Sequence, residues 1–442
     1  MAQYIAKRVK FQNGERHSVL LGPSGLPVHE ATLFLLGFRT RGLAANTIHI
    51  VCTVLAIVHR ELDAAGINLM ERFQRAQFLT TLELDRLATA AQYRIEDLTE
   101  EEEPKRKARV ISIHRVNPKS KRAIEPPPQV DLKTRAARLH YIAQYLEFLA
   151  GYVKGTLPRA QARELAEDAQ QGLKAFRAGI PRAPTRAKLD ARTGLSKEER
   201  SLLLQVAHPD SAKNPWKRDF TRRRNWVILV LLLATGMRRG ELLGLKIKDL
   251  HSNEPKLNIL RRADDVRDPR PIEPNTKTSE RTLTLPKSTM RLLWRYINED
   301  RRAISAARKH DYVMVSDDGS PFSLSSIDKL FKGLRSTDPG LPKSLTCHVL
   351  RHTWNDSFSE LADALGLSPE IEQKARNEQQ GWTDNSQMAV TYTRRSTAQK
   401  GRELALEMNK YLDEILERDE QLRQGESPHH NESARDTFGR PE

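Results

Sequence analysis

Six residues in the C-terminal half of the chain have the types, and stand in the order, needed to move a phosphodiester from DNA onto protein and back. They are two arginines, a lysine, a histidine, an indole and a phenol: Arg238, Lys277, His348, Arg351, Trp382 and Tyr392. Strand cleavage through a covalent intermediate requires a nucleophile, positive charge beside the non-bridging oxygens, a proton for the leaving 5′ oxygen and a fixed geometry. These side chains can supply all four requirements without a metal ion.

The two arginines are the predicted phosphate ligands, because a guanidinium stays charged and directs two donors at one phosphate. Arg238 follows the dipeptide Thr235-Gly236, a turn signal that can aim its side chain into a cleft. Glu241 comes three residues later and is predicted to orient Arg238 or to cap its helix. The sequence thus predicts a turn between two helices that presents Arg238.

His348 and Arg351 are three residues apart, so a helix would project both from one face. This spacing predicts an acid–base group beside a phosphate clamp, with His352 in support. Lys277 lies in a polar turn ahead of a strand, from which it can protonate the departing oxygen.

Trp382 can donate its indole N–H and form a rigid wall. Tyr392 is the predicted nucleophile; the ordinary pKa of a phenol is about 10, so nearby cations must favour the phenolate in the transition state. Taken singly, each of these residues has an ordinary explanation as a solvated charge or a packing residue. The hypothesis depends on their joint occurrence, in order, in one basic chain.

Composition supports a polyanionic partner. The 442 residues carry a formal charge of +16, with 38% hydrophobic and 29% charged residues. Nucleic acid is the partner that such a charge favours, although a basic protein without a nucleic-acid role is the alternative. The length indicates two or three domains.

The remaining composition excludes several classes of protein. Cys52 and Cys347 alone build neither a disulfide framework nor a zinc site. The N-terminus lacks the apolar core of a signal peptide, and the most apolar run, 227–234, is far shorter than the roughly twenty residues of a spanning helix. We expect a cytoplasmic, nucleoid-associated protein of a bacterium or mobile element, with no membrane contact, no cofactor and no metal.

The predicted fold class is mainly α with a small β-sheet or hairpin. Turn signals predict a hairpin in the N-terminal extension 1–27. Apolar spacing then predicts helices at 29–38, 46–63 (capped by Asn46), 85–98, 131–153 and 158–178. The basic, proline-containing stretch 101–130 is predicted to be an exposed insertion, and the polar run 181–193 a linker.

The second half of the chain is predicted to form one further domain over 195–415. Ser196 is predicted to cap its first helix. Further helices are predicted at 223–235, 239–245, 287–306, 325–335, 348–364, 368–378, 386–393 and 398–420, and strands at 256–261, 281–285 and 312–316. Residues 317–319 are predicted to form a turn rather than a metal site, and the tail 416–442 to be partly disordered beyond the last helix.

The chain resembles the tyrosine recombinase (phage integrase) family. Segment 234–246 is similar to the first arginine box of that family, 276–286 to its lysine-bearing hairpin, and 348–352 to its His-x-x-Arg box. Trp382 stands where the family commonly has a histidine, and Tyr392 stands at the nucleophile position. The resemblance is strong over 195–415 and general over 28–180.

The resemblance implies a helical core-binding domain over 28–182 and an α+β catalytic domain over 195–415, which together clamp duplex DNA. It also implies a homotetramer on two specific sites, a 3′-phosphotyrosine intermediate, a Holliday junction and a final helix that docks on a neighbouring protomer. The last helix could instead pack on its own domain. Accessory proteins are a further implied partner, and integration or excision of a mobile element is the implied task.

Two other functions remain open at this stage. A type IB topoisomerase uses a related site to relax DNA, and a DNA-binding regulator could retain the fold without catalysis. For DNA contacts outside the site, the sequence offers basic residues at the start of the 131–153 helix and in the 101–130 insertion: Lys133, Arg135, Arg138, Lys105, Arg106 and Lys107.

Overall fold

The computed structural model describes residues 4–93, 129–182, 194–274, 276, 279–383, 386, 401–402, 404–418 and 420. These residues are mostly helical, with two small antiparallel sheets, as the predicted fold class requires. In chain order the elements are β1 (Ile5–Lys10), β2 (Arg16–Leu21), α1 (His29–Thr40), α2 (Ala45–Ala64), α3 (Leu69–Gln74), α4 (Thr81–Ala90), α5 (Leu132–Lys154), α6 (Arg159–Ala178), α7 (Lys197–Ala207), α8 (Asp219–Thr235), α9 (Arg239–Gly244), β3 (Lys256–Ile259), β4 (Arg281–Thr284), α10 (Lys287–Arg295), α11 (Leu324–Arg335), α12 (Cys347–Ala364) and α13 (Pro369–Gln380).

The N-terminal hairpin is confirmed for its described residues. Strand β1 pairs with β2 in antiparallel register from Ile5 opposite Leu21 to Lys10 opposite Arg16. Its turn contains Gly14 at φ 88°, a left-handed conformation that favours glycine. Leu20 lies fully buried in the same hydrophobic cluster as α1 and α2, so the hairpin is part of the N-terminal core.

That N-terminal core is built by helices α1 to α6. The apolar stripes predicted for α2 and α5 are buried, as the helical spacing requires. Tyr145 of α5 is buried at the centre, 5.1 Å from the ring of Phe34 and hydrogen-bonded to His59. The core therefore combines aromatic packing with the polar pair of Tyr145 and His59.

The C-terminal core surrounds α8, whose residues Ile228 and Leu229 are fully buried. Strands β3 and β4 pair from Lys256 opposite Thr284 to Ile259 opposite Arg281. The predicted Ser196 cap is confirmed, because its hydroxyl accepts from the Glu199 backbone N–H. The long β3–β4 connection, residues 260–280, contains the position of Lys277 in sequence.

Several predicted boundaries are wrong. Asn46 lies inside α2 rather than at its cap, and its side chain accepts a hydrogen bond from Arg8 instead. Helix α4 begins at Thr81 because Thr80 and Glu83 form a reciprocal capping box. The short helix α3, capped by the Asn68 side chain, was not predicted.

The predicted strand at 312–316 is also wrong, since only single bridges form there, between Lys246 and Tyr312 and between Val315 and Pro321. The predicted helix at 287–306 ends at Arg295 and continues as a π-helical turn, Tyr296–Arg301. Buried Arg301 donates to the carbonyl oxygens of Ala307, His310 and Tyr312, so this side chain organises the irregular segment that follows.

Some predictions fall on residues outside the described ranges. These concern the insertion 101–130 up to residue 128, the linker from residue 183, all of the 386–393 helix except residue 386, and the tail beyond 420. Residues 401–402, 404–418 and 420 are helical, in agreement with the predicted last helix. Within the described ranges, no helix combines the length and the apolarity that a bilayer span needs.

Candidate active site

A glycine turn places Arg238. Helix α8 ends at Thr235, and the next residue, Gly236, adopts a left-handed conformation with φ 60°. A Cβ atom at this position would lie 2.8 Å from Cγ of Trp354, so the indole of α12 leaves room for glycine alone. The chain then reverses, and Arg238 stands immediately before α9. The predicted turn between two helices is present.

Glu241 holds Arg238 as the sequence predicted. One carboxylate oxygen accepts from the Arg238 backbone N–H at 2.9 Å, and the other accepts from its guanidinium at 3.3 Å. The Glu241 side chain is fully buried, whereas the Arg238 side chain is about one quarter exposed. The guanidinium of Arg238 therefore keeps access to solvent while its base is fixed.

Arg281 is a second partner of Glu241 that sequence reasoning missed. Its guanidinium donates to Glu241 at 2.8 Å, and this ion pair is almost completely buried. Its Nε donates to the carbonyl oxygen of Gln379 at 2.8 Å. Arg281 thus joins α9, β4 and the end of α13. The signal in the sequence is the alternation Arg281, Leu283 on one strand face, which places an arginine on the buried side.

The end of α13 is held against the lysine-bearing connection. Helix α13 terminates at Gly381, which has φ 64°. The Gly381 carbonyl oxygen accepts from the Ser279 backbone N–H at 3.0 Å, and the backbone N–H of Trp382 donates to the carbonyl oxygen of Asn377. The indole of Trp382 is almost buried. This contact joins Ser279, two residues after Lys277 in the sequence, to Gly381, the residue before Trp382.

Helix α12 carries the predicted His348, Arg351 and His352. Arg351 is buried, donates to the Gly236 carbonyl oxygen at 2.7 Å and lies 5.3 Å from the Trp382 ring centre. His348 is exposed, and its ring lies edge-on to that of His352 at 4.6 Å. Arg351 therefore contacts both the glycine turn and the indole.

The contacts form a continuous path through the predicted site. Arg238 contacts Glu241, which contacts Arg281; β4 then contacts the α13 end, Trp382 contacts Arg351, and Arg351 returns to the glycine turn. Lys277 and Tyr392 lie outside the described residues. Their positions remain predictions from the sequence. Arg238, Arg351 and Trp382 belong to this framework, and His348 lies three residues before Arg351 on α12.

Cys347 offers no competing nucleophile. Burial raises the pKa of its thiol to about 12, with a smaller opposing effect from Arg239. A thiol with this pKa stays protonated at neutral pH. Within the described part of the chain, no cluster of three or more His, Cys, Asp or Glu residues has the geometry of a metal site.

The predicted DNA-contact residues differ in their surroundings. Lys133 is exposed at the start of α5, and Arg135 is half-buried. Arg138 is buried and donates to the carbonyl oxygens of Ala91 and Tyr93. Its guanidinium therefore has a structural role in the N-terminal core. Lys105, Arg106 and Lys107 lie outside the described residues.

Comparison with known proteins places residues 195–399 under a family model described as the phage integrase family. Tyrosine recombinase XerD of Halalkalibacterium halodurans is 29% identical over 141 residues, which cover 32% of this chain and 42% of that relative. A tyrosine recombinase XerC-like protein of Caldanaerobacter subterraneus subsp. tengcongensis is 28% identical over 161 residues, 33% of this chain and 41% of the relative. The matched part thus spans less than half of these curated relatives.

Among solved structures, lambda integrase bound to DNA aligns with 83% of this chain and 95% of its own chain, at 12% identity and a TM-score of 0.43. XerH site-specific recombinase bound to a palindromic difH substrate aligns with 63% of this chain and 72% of its own, at 19% identity and a TM-score of 0.39.

Replacing Glu241 with glutamine should destabilise the framework. The variant keeps the side-chain volume but leaves the buried guanidinium of Arg281 without a counter-charge. Removing one partner of a buried pair costs about 3 to 5 kcal/mol of unfolding free energy, which urea denaturation would measure. Glu254→Gln is the matched control, because Glu254 is exposed and pairs with Lys256 at the surface; its stability should not change. Equal stability of the two variants would contradict the role given to Glu241.

Proposed function

We infer that the chain is a site-specific DNA recombinase, from the match of residues 195–399 to the phage integrase family model and from the arrangement of the site. The proposal is that it cleaves and rejoins strands through a covalent 3′-phosphotyrosine intermediate and a Holliday junction, for integration or excision of a mobile element. The observation that carries it is the shared framework of Arg238, Arg351 and Trp382, held by the buried carboxylate of Glu241.

In the proposed cleavage step, the phenolic oxygen of Tyr392 attacks phosphorus and the bond from phosphorus to the 5′ oxygen breaks. His348 accepts the phenolic proton, and Lys277 gives a proton to the departing 5′ oxygen. Arg238 and Arg351 neutralise the charge on the non-bridging oxygens. Rejoining reverses the step when a 5′-hydroxyl attacks the phosphotyrosine. The new ester retains the energy of the broken one, so the step itself consumes no nucleotide.

Duplex DNA is the proposed substrate, gripped from both parts of the chain. Lys133 and Arg135 of α5 are the proposed phosphate contacts in the N-terminal part, because their side chains are at least partly accessible. Lys105, Arg106 and Lys107 remain proposed contacts on the basis of the sequence. The proposed functional unit is a homotetramer on two recombination sites, and accessory proteins are further proposed partners.

The last helix supports the tetramer proposal. Its apolar residues Leu404, Met408, Leu412 and Ile415 recur at helical spacing and are exposed. A helix with such a stripe requires an apolar surface to cover it. We propose that a neighbouring protomer supplies that surface.

Tyr392→Phe should abolish covalent attachment while leaving DNA binding unchanged. Phenylalanine keeps the ring but lacks the attacking oxygen. A suicide substrate, in which the cleaved 5′ fragment diffuses away, would trap the wild-type adduct for gel analysis, and a gel shift would measure binding. An adduct formed by the variant would exclude Tyr392 as the nucleophile. If the wild-type protein relaxes supercoiled plasmid of arbitrary sequence, the result favours a topoisomerase. If it binds DNA without strand exchange, the result favours a regulator.

Salt titration should separate phosphate contacts from structural arginines. Each phosphate contact contributes about 0.9 to the slope of log affinity against log salt, so Lys133→Ala and Arg135→Ala should each lower that slope by about one. Arg138→Ala should lower the melting temperature and keep the slope, because its guanidinium binds carbonyl oxygens of the protein. An unchanged slope for Lys133→Ala and Arg135→Ala would exclude those contacts.

Charged substitutions on the last helix should prevent assembly of paired sites. Met408→Glu with Leu412→Glu should keep single-site binding and the melting temperature but lose the two-site complex in a gel shift. Lys410→Glu is the control, since Lys410 is exposed and pairs with Glu407 on the same helix. A lowered melting temperature for the double variant would show that the helix packs on its own chain.

A further inference from the structure

We propose that the N-terminal hairpin is a positioning element for the connection that carries Lys277, and thereby for protonation of the leaving oxygen. The inference rests on the function proposed above. The contact joins two regions far apart in sequence: the hairpin, residues 5–21, and residues 264–273, here called the anchor loop. The anchor loop lies within the β3–β4 connection, just ahead of Lys277.

Arg16 is the centre of this contact. Its side chain is almost fully buried and pairs with Glu273 at 2.9 Å. The same guanidinium donates to the carbonyl oxygens of Asp268 at 2.9 Å and of Arg270 at 3.1 Å. A buried guanidinium that binds several backbone carbonyls fixes the course of the loop as well as its charge. Arg16 therefore holds the anchor loop at three of its residues.

Other residues of the N-terminal part strengthen the contact. Exposed Lys10 donates to the carbonyl oxygens of Val266 at 3.0 Å and Asp268 at 2.8 Å. Arg39 of α1 forms an ion pair with Asp264. The backbones approach so closely that a Cβ at Gly14 would overlap the Asp264 carbonyl oxygen. The hairpin and the anchor loop are thus complementary in shape as well as in charge.

The anchor loop is also fixed to the C-terminal core. Arg270 is buried, pairs with Asp268 and donates to the carbonyl oxygens of Leu243 and Phe322. Its guanidinium lies 4.4 Å from the ring centre of Tyr312. Asp268 and Arg270 therefore contact both parts of the chain. A displacement of the hairpin would therefore move the β3–β4 connection through the contacts of these two residues.

Lys277 lies between two anchors in the sequence. Glu273, which Arg16 holds, precedes it by four residues. Ser279, whose N–H donates to Gly381, follows it by two residues. Proton transfer requires hydrogen-bond reach, and a displacement of about 1 Å can cost about a hundredfold in rate. Loss of the first anchor should therefore impair the acid and leave the phosphate ligands in place.

The experiment uses two leaving groups in the full-length protein. Cleavage rates at saturating DNA are measured on a suicide substrate with the ordinary 5′ oxygen and on one with sulfur at that bridging position. A thiol has a pKa of about 8.5, so sulfur departs as a thiolate and needs no general acid. Lys277→Ala calibrates the assay, because its loss of rate should disappear on the sulfur substrate.

Arg16→Ala should lower the cleavage rate about ten- to a hundredfold on the oxygen substrate. On the sulfur substrate its cleavage rate should be close to that of the wild type, and its DNA affinity should be unchanged. Lys10→Ala, at an exposed position, should show the same pattern to a smaller extent. Arg8→Ala is the matched control: Arg8 lies on β1, like Lys10, but donates to the exposed side chain of Asn46 in the N-terminal part. Its rate should stay unchanged on both substrates.

Equal losses on both substrates would overturn the inference, because a general defect in folding or binding has no leaving-group dependence. An unchanged or increased rate for Arg16→Ala would also overturn it. If Arg16→Ala does not fold, the pattern of Lys10→Ala decides the outcome in the same way. If the wild-type protein forms no adduct, the proposed function itself is overturned. If the wild type forms an adduct and the sulfur substrate rescues Lys277→Ala, but neither hairpin variant changes the rate, this inference alone is overturned.

Discussion

The buried carboxylate of Glu241 lies between two guanidinium groups, and the geometry of the candidate site depends on this arrangement. The buried guanidinium of Arg281 would cost folding free energy without a counter-charge. The guanidinium of Arg238 bonds to the same carboxylate and remains partly exposed to solvent. Like charges would otherwise repel each other across this short distance. One carboxylate therefore permits two arginines to share a framework, and it joins helix α9 to strand β4 and the end of α13.

Part of the positive charge of this chain is structural. Arg138, Arg270 and Arg301 are buried and donate to backbone carbonyl oxygens of irregular segments. Burial lowers the pKa of Arg301 and of Arg138, but an arginine remains charged at neutral pH. Net charge thus indicates a polyanionic partner without identifying which arginines bind it. Only the exposure and the hydrogen bonds of each arginine in the folded chain distinguish DNA-binding arginines from structural ones.

The sequence predicted local features well and long-range pairs poorly. Apolar periodicity located α2, α5 and α8, because burial of one face depends on spacing alone. The Gly236 turn and the Glu241–Arg238 contact were also predictable, since both are local. The Arg281–Glu241 pair and the Arg16–Glu273 pair join residues far apart in the chain, and no single-chain pattern specifies such partners. The wrong strand at 312–316 has the same origin, because its partners are distant in sequence and do not form a ladder. The Val313 backbone N–H donates to Leu245, and the Arg301 side chain donates to the Tyr312 carbonyl oxygen.

The site also explains why its cations need a rigid scaffold. A transition state gains most from charges that are already oriented, because no reorganisation is then required during the reaction. Arg351 meets this condition, because the Gly236 carbonyl oxygen fixes one end of its guanidinium and the guanidinium lies over the Trp382 ring. Gly236 has room for no side chain against Trp354, so the turn cannot shift without moving α12. The same glycine turn therefore fixes the positions of both arginines. Its carbonyl oxygen binds Arg351, and the chain that follows it places Arg238.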